Sequence, residues 1–248
     1  MIVMKAVILA AGRGSRMGIL TKEQPKCLTL LGGKSLLQWQ VEAILRAGID
    51  EIGVVRGYLA HKIDREGIKT FDNNRWSETN MVTSLICAKE WLEKDVCIIS
   101  YSDIVYPATT ILALLKASGN IVVSYNTAWF SLWQERFKEP LSDLESFKIN
   151  EKGILLDIGE RVKTFDDIQG QYMGLIKLTP LGWKSVEELL DKLSAAEVDK
   201  LDMTSMLKKL LMHNVTVNTE PINGKWYEVD SGHDLIVYNQ FIKRNNFL

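Results

Sequence analysis

The sequence KAVILAAGRGSRMG, residues 5–18, is an apolar run that passes directly into a glycine-rich segment with two arginines. The run at 5–9 has the composition of a buried strand. Ligands of open α/β sheets bind beyond the carboxyl ends of strands, where the glycine-rich segment would lie. Its small residues allow close approach to backbone amides, which can bind an anion; they are Ala10, Ala11, Gly12 and Gly14. The stretch predicts an anion-binding loop, although a tight strand-to-helix turn with solvated arginines would use the same glycine pair.

Positive side chains accompany this loop in a number that suits a polyphosphate. Arg13 and Arg16 lie within it, and Lys26 follows shortly in EQPKCL. Two common phosphate-binding motifs are disfavoured. The P-loop pattern GxxxxGK[ST] is absent, and the spacing from Gly12 is GxGxxxG rather than the GxGxxG of dinucleotide-binding folds. The second strand candidate also ends in arginine, at 56, where a dinucleotide site would place an acid.

The rest of the chain alternates short β-branched runs with stretches of helical period, which predicts an α/β fold with a parallel or mixed sheet covered by helices. The strand candidates are 5–9, 51–55, 96–100, 120–125, 171–178, 215–220 and 225–229. The helix candidates are 35–47, 80–92, 108–117, a segment from Pro180, 203–213 and 232–243. SFKINEKGILLDIG alternates in polarity around Gly153, which predicts a β-hairpin laid over the core.

Composition limits the classes of function. The 248 residues contain 46% hydrophobic and 25% charged side chains, which is enough for one compact domain. Thirty basic and 31 acidic residues give a net charge of -1, so we expect neither nucleic acid nor a membrane as partner. Three cysteines without CxxC spacing argue against a disulfide framework or zinc site and favour the cytoplasm. The oligomeric state stays open, a homodimer included.

Two carboxylates each follow a predicted strand. Asp103 lies in IISYSDIVY and Asp230 in WYEVDSGHDL, so both are expected at one edge of the sheet. Two such carboxylates can hold Mg²⁺. Each could equally cap a helix or a turn. Glu228 lies on the same strand face as Asp230, where it could orient a metal-bound water or be a solvated edge residue.

Several segments together resemble a known family. LAAGRGSRMGILTKEQPKCL, SETNMVTSL, SYSDIVY, GQYMGLIKL and WYEVDSGHDL are similar to nucleotidyltransferases that join a nucleoside triphosphate to a phosphorylated acceptor. The resemblance covers nearly the whole chain and is nearest to the bacterial phosphocholine cytidylyltransferase-like group. One departure is Ile19, which stands where family members commonly have proline.

The resemblance implies a Rossmann-like fold in one domain, 1–248. Residues 1–125 would mainly bind the nucleotide; residues 126–248 would bind the acceptor and close the site, with the hairpin covering the acceptor side. Asp103 and Asp230 would bind Mg²⁺, Arg16 the departing phosphates, and Lys26 the reacting phosphates. The residues implied in nucleotide binding are Leu9, Ala10, Ala11, Gly12, Gly14, Asn80, Ser84 and Tyr101.

The nucleophile of such a reaction, an acceptor phosphate, is already anionic near neutral pH. Alignment and charge neutralisation are therefore what the protein must supply. This fits a chain with only three histidines, none in an arrangement that suggests a nucleophile's base; they are His61, His213 and His233.

The acceptor site is predicted from aromatic and cationic side chains, namely Tyr106, Trp129, Trp133, Arg136 and Tyr172. Aromatic faces bind quaternary ammonium groups, which favours phosphocholine. Arg136 would suit the carboxylate of phosphoglutamine, and Asp143 and Glu145 could meet a cation. Against these roles, Trp129, Trp133 and Arg136 share a helical spacing that is usual for core residues.

The sequence thus predicts a Mg²⁺-dependent cytidylyltransferase that joins CTP to a small phosphorylated acceptor. One alternative is a sugar-1-phosphate nucleotidyltransferase that uses UTP or dTTP. Another is a catalytically silent nucleotide-binding subunit, because a fold alone does not establish a function.

Overall fold

The computed structural model describes the backbone of residues 3–244 and the side chains of residues 3–242. Its strands are β1 (Met4–Ala10), β2 (Leu30–Leu31), β3 (Lys34–Ser35), β4 (Glu51–Arg56), β5 (Ile68–Asp72), β6 (Val96–Tyr101), β7 (Ile104–Val105), β8 (Ile121–Asn126), β9 (Glu145–Ile149), β10 (Leu155–Arg161), β11 (Gln171–Leu178), β12 (Asn218–Ile222) and β13 (Tyr227–Glu228). Its α-helices are α1 (Leu36–Arg46), α2 (Met81–Ile86), α3 (Lys89–Leu92), α4 (Ala108–Lys116), α5 (Trp129–Arg136), α6 (Pro180–Leu190), α7 (Ala195–Lys200), α8 (Met203–Met212) and α9 (Gly232–Arg244). Among these described helices, none combines the length and apolarity that a membrane span requires.

The central sheet has seven strands in the described chain, in the order β12-β8-β11-β6-β1-β4-β5. β11 runs antiparallel to both of its neighbours, and the other neighbouring pairs are parallel. Strands such as β1 and β8 are buried on both faces, which explains their continuous apolar sequence. The prediction of a mixed, mainly parallel sheet flanked by helices is confirmed.

Helices cover both faces of this sheet. On the face of Val7 and Leu9, the sheet packs with α2, α3, α6, α8 and the β9–β10 hairpin. On the opposite face, that of Ala6 and Ile8, it packs with α1, α4 and α5. A third apolar cluster joins α9 to β13 and to the start of α1. The carboxyl ends of β1, β4 and β6 are thus held at one edge of a rigid core.

The predicted helix over 80–92 is divided. The backbone N–H of Cys87 donates to the Ser84 carbonyl at 3.2 Å, and that of Ala88 to the Leu85 carbonyl at 3.0 Å. These i→i+3 bonds tighten the chain between α2 and α3. The tighter turn places Ala88 and Trp91 in the core beneath the sheet, so packing overrides the continuous helical period.

The two predicted strands near the carboxyl end differ from the observed ones. The strand expected at 215–220 begins only at Asn218, because Asn214 has a left-handed φ of 59° and Val215 still bonds back to the Leu210 carbonyl of α8. The strand expected at 225–229 is the short β13, which pairs with β7 outside the central sheet. The sequence predicted that Asp230 would follow a strand of the main sheet. In the structure Asp230 instead follows β13, which lies outside that sheet.

Candidate active site

The loop after β1 is shaped by Gly14. This residue has a φ of 67°, in the left-handed region that favours glycine. A Cβ atom at this position would lie 2.8 Å from both Cβ and Cδ of Lys26, so the lysine side chain passes directly against the bare backbone. The Gly14 carbonyl accepts from the Met17 N–H at 3.0 Å and from the Thr21 hydroxyl at 3.0 Å. The glycine therefore permits both the turn and the path of Lys26.

Lys26 joins two carboxylates that are 127 positions apart in sequence. Its Nζ donates to Asp103 Oδ2 at 2.7 Å and to Asp230 Oδ1 at 2.8 Å. The β7–β13 ribbon brings the two acids together, since the Val229 N–H donates to the Asp103 carbonyl at 2.9 Å. Burial alone would lower the pKa of Lys26, but the two carboxylates raise it, so the ammonium stays charged.

Arg16 extends the positive charge toward solvent. Its guanidinium lies 2.9 Å from Asp230 Oδ1, while 68% of its side chain remains exposed. Burial alone would raise the pKa of Asp230, but Lys26, Arg16 and Arg136 lower it, so this carboxylate stays ionised. Arg16 is thus held beside the carboxylate pair with much of its guanidinium free to meet a ligand.

Arg136 lies behind the pair and not in an open acceptor site. Its side chain is fully buried, and its guanidinium contacts Asp234 Oδ1 at 2.9 Å, Glu228 Oε2 at 3.2 Å and Asp230 Oδ2 at 3.5 Å. Arg136, which was predicted to bind the acceptor, does not line either of the cavities described below, and its donors are used by three carboxylates. Its position fixes these acids against one another.

Glu228 is half-buried and not a solvated edge residue. Burial and the nearby Asp230 raise the pKa of its carboxyl, although Arg136 opposes this. Asp234, the third partner of Arg136, also accepts from the backbone N–H of Ser231 at 2.8 Å and of Asp230 at 3.0 Å. The turn that opens α9 thus fixes the backbone of Asp230.

The carboxylate pair fits a divalent metal whose other ligands are water and substrate phosphates. Asp103 Oδ1 is buried and has no hydrogen-bond partner within residues 3–244, which leaves an acceptor oxygen to be satisfied. The same residues contain no group of three or more His, Cys, Asp or Glu side chains placed to hold a metal. Mg²⁺ commonly takes one or two carboxylates plus water and substrate phosphates, so two acids are sufficient.

A cavity of about 290 Å³ lies over the loop, and we call it the loop cavity. Its lining residues are Leu9, Gly12, Gly14, Ser15, Arg16, Lys26, Met81, Tyr101, Ser102, Asp103 and Glu228. The predicted nucleotide residues Ala10 and Ala11 are buried beside it. Two predicted nucleotide residues, Asn80 and Ser84, do not line the cavity. The Asn80 side chain caps α2 by accepting from the Met81 N–H at 2.8 Å, and the Ser84 hydroxyl accepts from Asn73 Nδ2 at 3.0 Å. Sequence reasoning missed Met81, Ser15 and Ser102.

A second cavity of about 320 Å³, which we call the hairpin cavity, adjoins the first. Its lining residues are Arg16, Met81, Tyr101, Trp133, Asp143, Glu145, Ser146, Ile158, Gln171, Tyr172, Gly174, Asp202, Thr204, Glu228 and Asp230. The two cavities share Arg16, Met81, Tyr101 and Glu228. A ligand in each would therefore meet at Arg16 and the carboxylate pair.

The predicted acceptor residues divide between this cavity and the core. Trp133 and Tyr172 line it. Tyr106 does not, because it is 1% exposed and its hydroxyl donates to Ser100 Oγ at 3.0 Å. Trp129 also lies outside, packed edge-on against Phe130 with ring centroids 5.5 Å apart. Trp129 thus lies on the core-facing side of its helix. Sequence reasoning missed Asp202 and Thr204, although Asp202 before an apolar helix is a recognisable N-cap.

Comparison with known proteins identifies the family of the chain. Residues 6–211 match the family described as "MobA-like NTP transferase domain". The CTP:phosphoglutamine cytidylyltransferase of Campylobacter jejuni subsp. jejuni serotype O:2 is 36% identical over 252 residues, covering 94% of this chain and 98% of the relative. The choline-phosphate cytidylyltransferase of Streptococcus pneumoniae is 36% identical over 93 residues, 36% of this chain and 41% of the relative.

A solved structure shares the fold at lower identity. The structure of the inositol-1-phosphate CTP transferase from T. maritima superposes with a TM-score of 0.74 at 19% identity, covering 97% of each chain. This likeness concerns the fold alone. The family match spans most of the chain and includes the loop, Lys26 and Asp103. The chain therefore belongs to the MobA-like NTP transferase domain family and is a nucleotidyltransferase.

Proposed function

We propose that the protein is a Mg²⁺-dependent cytidylyltransferase that joins CTP to a small phosphorylated acceptor and releases pyrophosphate. One observation carries this proposal. The loop cavity and the hairpin cavity adjoin at Arg16, where Asp103 and Asp230 share the ammonium of Lys26. The relative from Campylobacter jejuni, which matches over 94% of this chain, is named for CTP and phosphoglutamine, and this supports CTP as the nucleotide.

In this reaction an oxygen of the acceptor phosphate forms a bond to the α-phosphorus of CTP. The bond from that phosphorus to the pyrophosphate oxygen breaks, and the electron pair leaves with pyrophosphate. The attacking oxygen is already anionic, so the protein needs no general base. Its work is to align two anions that repel each other and to neutralise their charge.

Lys26 and Arg16 supply the fixed positive charge. Both line the loop cavity, and the raised pKa of Lys26 keeps its ammonium protonated beside the reacting phosphates. Arg16 lines both cavities and is exposed enough to contact the leaving phosphates. The Gly12 and Gly14 backbone leaves room for the phosphates to approach the loop.

Asp103 and Asp230 would hold the metal. Nucleotidyltransferases of this family generally use a divalent cation, and we propose Mg²⁺ because the donors are carboxylate oxygens. When bound, the ion would neutralise charge on the reacting phosphates. Arg136 keeps Asp230 in place from the opposite side of the pair. We also propose the cytoplasm as the compartment, since Cys27, Cys87 and Cys97 are all free thiols.

Measuring pyrophosphate release for each nucleotide against a set of acceptors tests this proposal. CTP, UTP, dTTP, ATP and GTP are each combined with phosphocholine, phosphoethanolamine, 2-aminoethylphosphonate, phosphoglutamine and several sugar 1-phosphates in the presence of Mg²⁺. We expect CTP to give the fastest release. A sugar 1-phosphate with UTP or dTTP that outruns every CTP pair would contradict the proposal, and CTP binding without turnover would favour a silent subunit.

A further inference from the structure

The hairpin cavity is strongly acidic. Its lining contains the carboxylates of Asp143, Glu145, Asp202, Glu228 and Asp230, and a single basic side chain, Arg16. Two of the five acids already have cationic partners, since Asp230 contacts Arg16, Lys26 and Arg136, and Glu228 contacts Arg136. Within residues 3–244, none of the other three forms an ion pair. The cavity therefore has a surplus of negative charge away from the carboxylate pair.

Glu145 and Asp202 stand on different elements that converge at Gly159. A Cβ atom at Gly159 would lie 3.9 Å from Glu145 Oε2 and 3.1 Å from Cβ of Thr204, two residues after Asp202. Asp202 Oδ1 accepts from the Ser205 N–H at 2.7 Å and from the Thr204 hydroxyl at 3.2 Å, as the N-cap of α8. Among the described residues, no donor contacts its other carboxylate oxygen or the Glu145 carboxylate.

The acids of this cavity repel one another where no cation lies between them. Glu145 is an exposed residue whose carboxyl lines the cavity, and partial loss of water there together with the nearby Asp202, Asp143 and Glu160 raises the pKa of that carboxyl. A cation placed among like-charged carboxylates removes that repulsion and forms charge-assisted hydrogen bonds if it carries N–H donors. The arrangement thus favours a ligand that brings its own positive charge to this end of the cavity.

The aromatic side chains of the cavity do not offer a box for a quaternary ammonium group. The Trp133 ring is stacked on Trp226 with centroids 5.8 Å apart, and the Arg136 guanidinium lies over it at 5.0 Å. Tyr101 and Tyr172 meet edge to face, at 5.8 Å and 89°. A trimethylammonium group lacks N–H donors and relies on such ring faces. Phosphocholine, which aromatic content alone would favour, is therefore expected to rank below an acceptor with N–H donors.

Two buried donors of the cavity favour a ligand with acceptor oxygens. Trp133 is 3% exposed, and its indole N–H faces the Asp143 carboxylate without a hydrogen bond of normal geometry; the buried Tyr172 hydroxyl faces Tyr101 in the same way. Buried donors are normally satisfied, so the cavity suits a ligand with oxygens as well as a cation. Arg136 is not free to bind a ligand carboxylate, because it already pairs with three acids.

On the basis of the proposed function, we infer that the hairpin cavity selects a phosphorylated acceptor that carries a primary ammonium group, which Glu145 and Asp202 bind by charge-assisted hydrogen bonds. The phosphate end would lie toward Arg16 and the ammonium end toward Gly159. A trimethylated amine lacks N–H donors, and an uncharged sugar has hydroxyl donors but not the positive charge that would offset these carboxylates.

Matched acceptor pairs test this inference with the native protein and CTP. Phosphoethanolamine is compared with phosphocholine, and phosphoglutamine with its N-acetyl derivative, so that each pair differs chiefly at the nitrogen. We expect the ammonium member of whichever pair turns over to have a kcat/KM about tenfold higher, the effect of one good charged hydrogen bond. A preference for phosphocholine, or an N-acetyl acceptor used equally well, would overturn the inference while leaving cytidylyl transfer intact.

Two variants assign the selectivity to residues. Glu145→Gln and Asp202→Asn each remove a charge and keep the shape, and asparagine still caps α8. We expect each variant to raise the KM of the ammonium acceptor by about tenfold, to leave the KM of CTP unchanged, and to reduce the preference within the pair. A purely structural role would not change that preference. Glu151→Gln is the matched control, because Glu151 is exposed in the turn of the same hairpin and does not line the hairpin cavity.

The outcomes separate this inference from the proposed function. An unchanged pair preference in both variants would overturn the roles of Glu145 and Asp202 even if CTP is turned over. If only a sugar 1-phosphate with UTP or dTTP reacts, the proposed function fails, and the inference fails with it. Loss of folding in one variant, detected by thermal unfolding, leaves the acceptor pairs and the other variant to decide.

Discussion

The loop cavity and the hairpin cavity share a wall but are built in opposite ways. The loop cavity draws most of its lining from the β1 loop, from Lys26 and from the end of β6 and the segment after it, and its two cations, Arg16 and Lys26, equal its two acids in number. The hairpin cavity draws its lining from seven or more separate segments, and acids outnumber bases there. Charge neutralisation for phosphates is thus encoded in a short contiguous motif, whereas acceptor selection depends on residues that only the fold brings together.

This difference has a physical cause. Phosphates are bound by backbone amides and fixed cations, and a single glycine-rich turn can supply both. An acceptor of variable shape must be surrounded, which requires side chains from several elements. Glu145, Gln171 and Asp202 reach the same cavity from β9, β11 and the start of α8. Substitutions in the loop cavity should therefore mainly change kcat, whereas substitutions in the hairpin cavity should mainly change the KM of the acceptor.

The largest effect is expected at the carboxylate pair, where the two cavities meet. Asp103→Asn or Asp230→Asn should lower kcat on the order of a thousandfold, because each removes a charge that would hold the metal beside the reacting phosphates. Glu228→Gln should cost less, since Glu228 is assigned no direct metal contact. Pyrophosphate release measures the effect, and thermal unfolding controls for the fold. Near-normal turnover in Asp230→Asn would show that Asp230 does not hold the metal.

Arg136→Met tests whether Arg136 stabilises the three carboxylates that it contacts. The change leaves the half-buried Glu228 and the buried Asp234 without their cationic partner, and we expect a loss of about 3 kcal/mol in the free energy of unfolding. Urea denaturation measures it. Arg75→Met is the control, because Arg75 is an exposed arginine that pairs with Asp199 and should change stability little. Equal stabilities for the two variants would show that Arg136 does not organise the acids.

Some of this architecture could be predicted from sequence and some could not. β1, β6 and β11 lie where their apolar runs indicated, because buried strands have a strong compositional signal. β5 was missed, since it is a half-exposed edge strand with alternating polar residues that give no continuous run. The short β13 was expected in the main sheet, and its pairing with β7 depends on the folded chain.

The candidate site likewise has parts that the sequence predicts and parts that it does not. Asp103, Asp230 and Lys26 were each expected near phosphates, but their mutual contacts depend on the β7–β13 ribbon, which no local pattern encodes. Arg136 was expected in an acceptor site, because helical spacing cannot tell a buried ion-pair network from an open wall. Its three carboxylate partners come from β13, the segment after it and the first turn of α9, 92 to 98 positions away.

The loop cavity itself is tested by its cations. Lys26→Ala should lower kcat on the order of a hundredfold, because it removes a buried charge next to the reacting phosphates. Arg13→Ala should have little effect, since Arg13 lies over the Tyr58 ring at 5.7 Å and does not line the loop cavity. Steady-state kinetics with CTP compares the two variants. Equal losses would mean that the positive charges of the loop are assigned wrongly.

A smaller effect should distinguish two tryptophans of α5. Trp133→Leu should raise the KM of the acceptor several-fold and leave the KM of CTP nearly unchanged, because Trp133 lines only the hairpin cavity. Trp129→Leu should lower the melting temperature without a selective change in KM, since Trp129 packs in the core. If Trp129→Leu raised the acceptor KM as much as Trp133→Leu, the boundary drawn for the hairpin cavity would be wrong.

Cytidylyl transfer is tested by measuring pyrophosphate release from CTP by the native protein, with an ammonium-bearing phosphorylated acceptor, in the presence and absence of Mg²⁺. We expect pyrophosphate and a CDP-linked product to form in equal amounts, the reaction to stop when either the acceptor or Mg²⁺ is omitted, and added Mg²⁺ to restore it. Turnover that is undiminished after the divalent cation is removed, or faster turnover of UTP or dTTP with a sugar 1-phosphate, would contradict the proposed function.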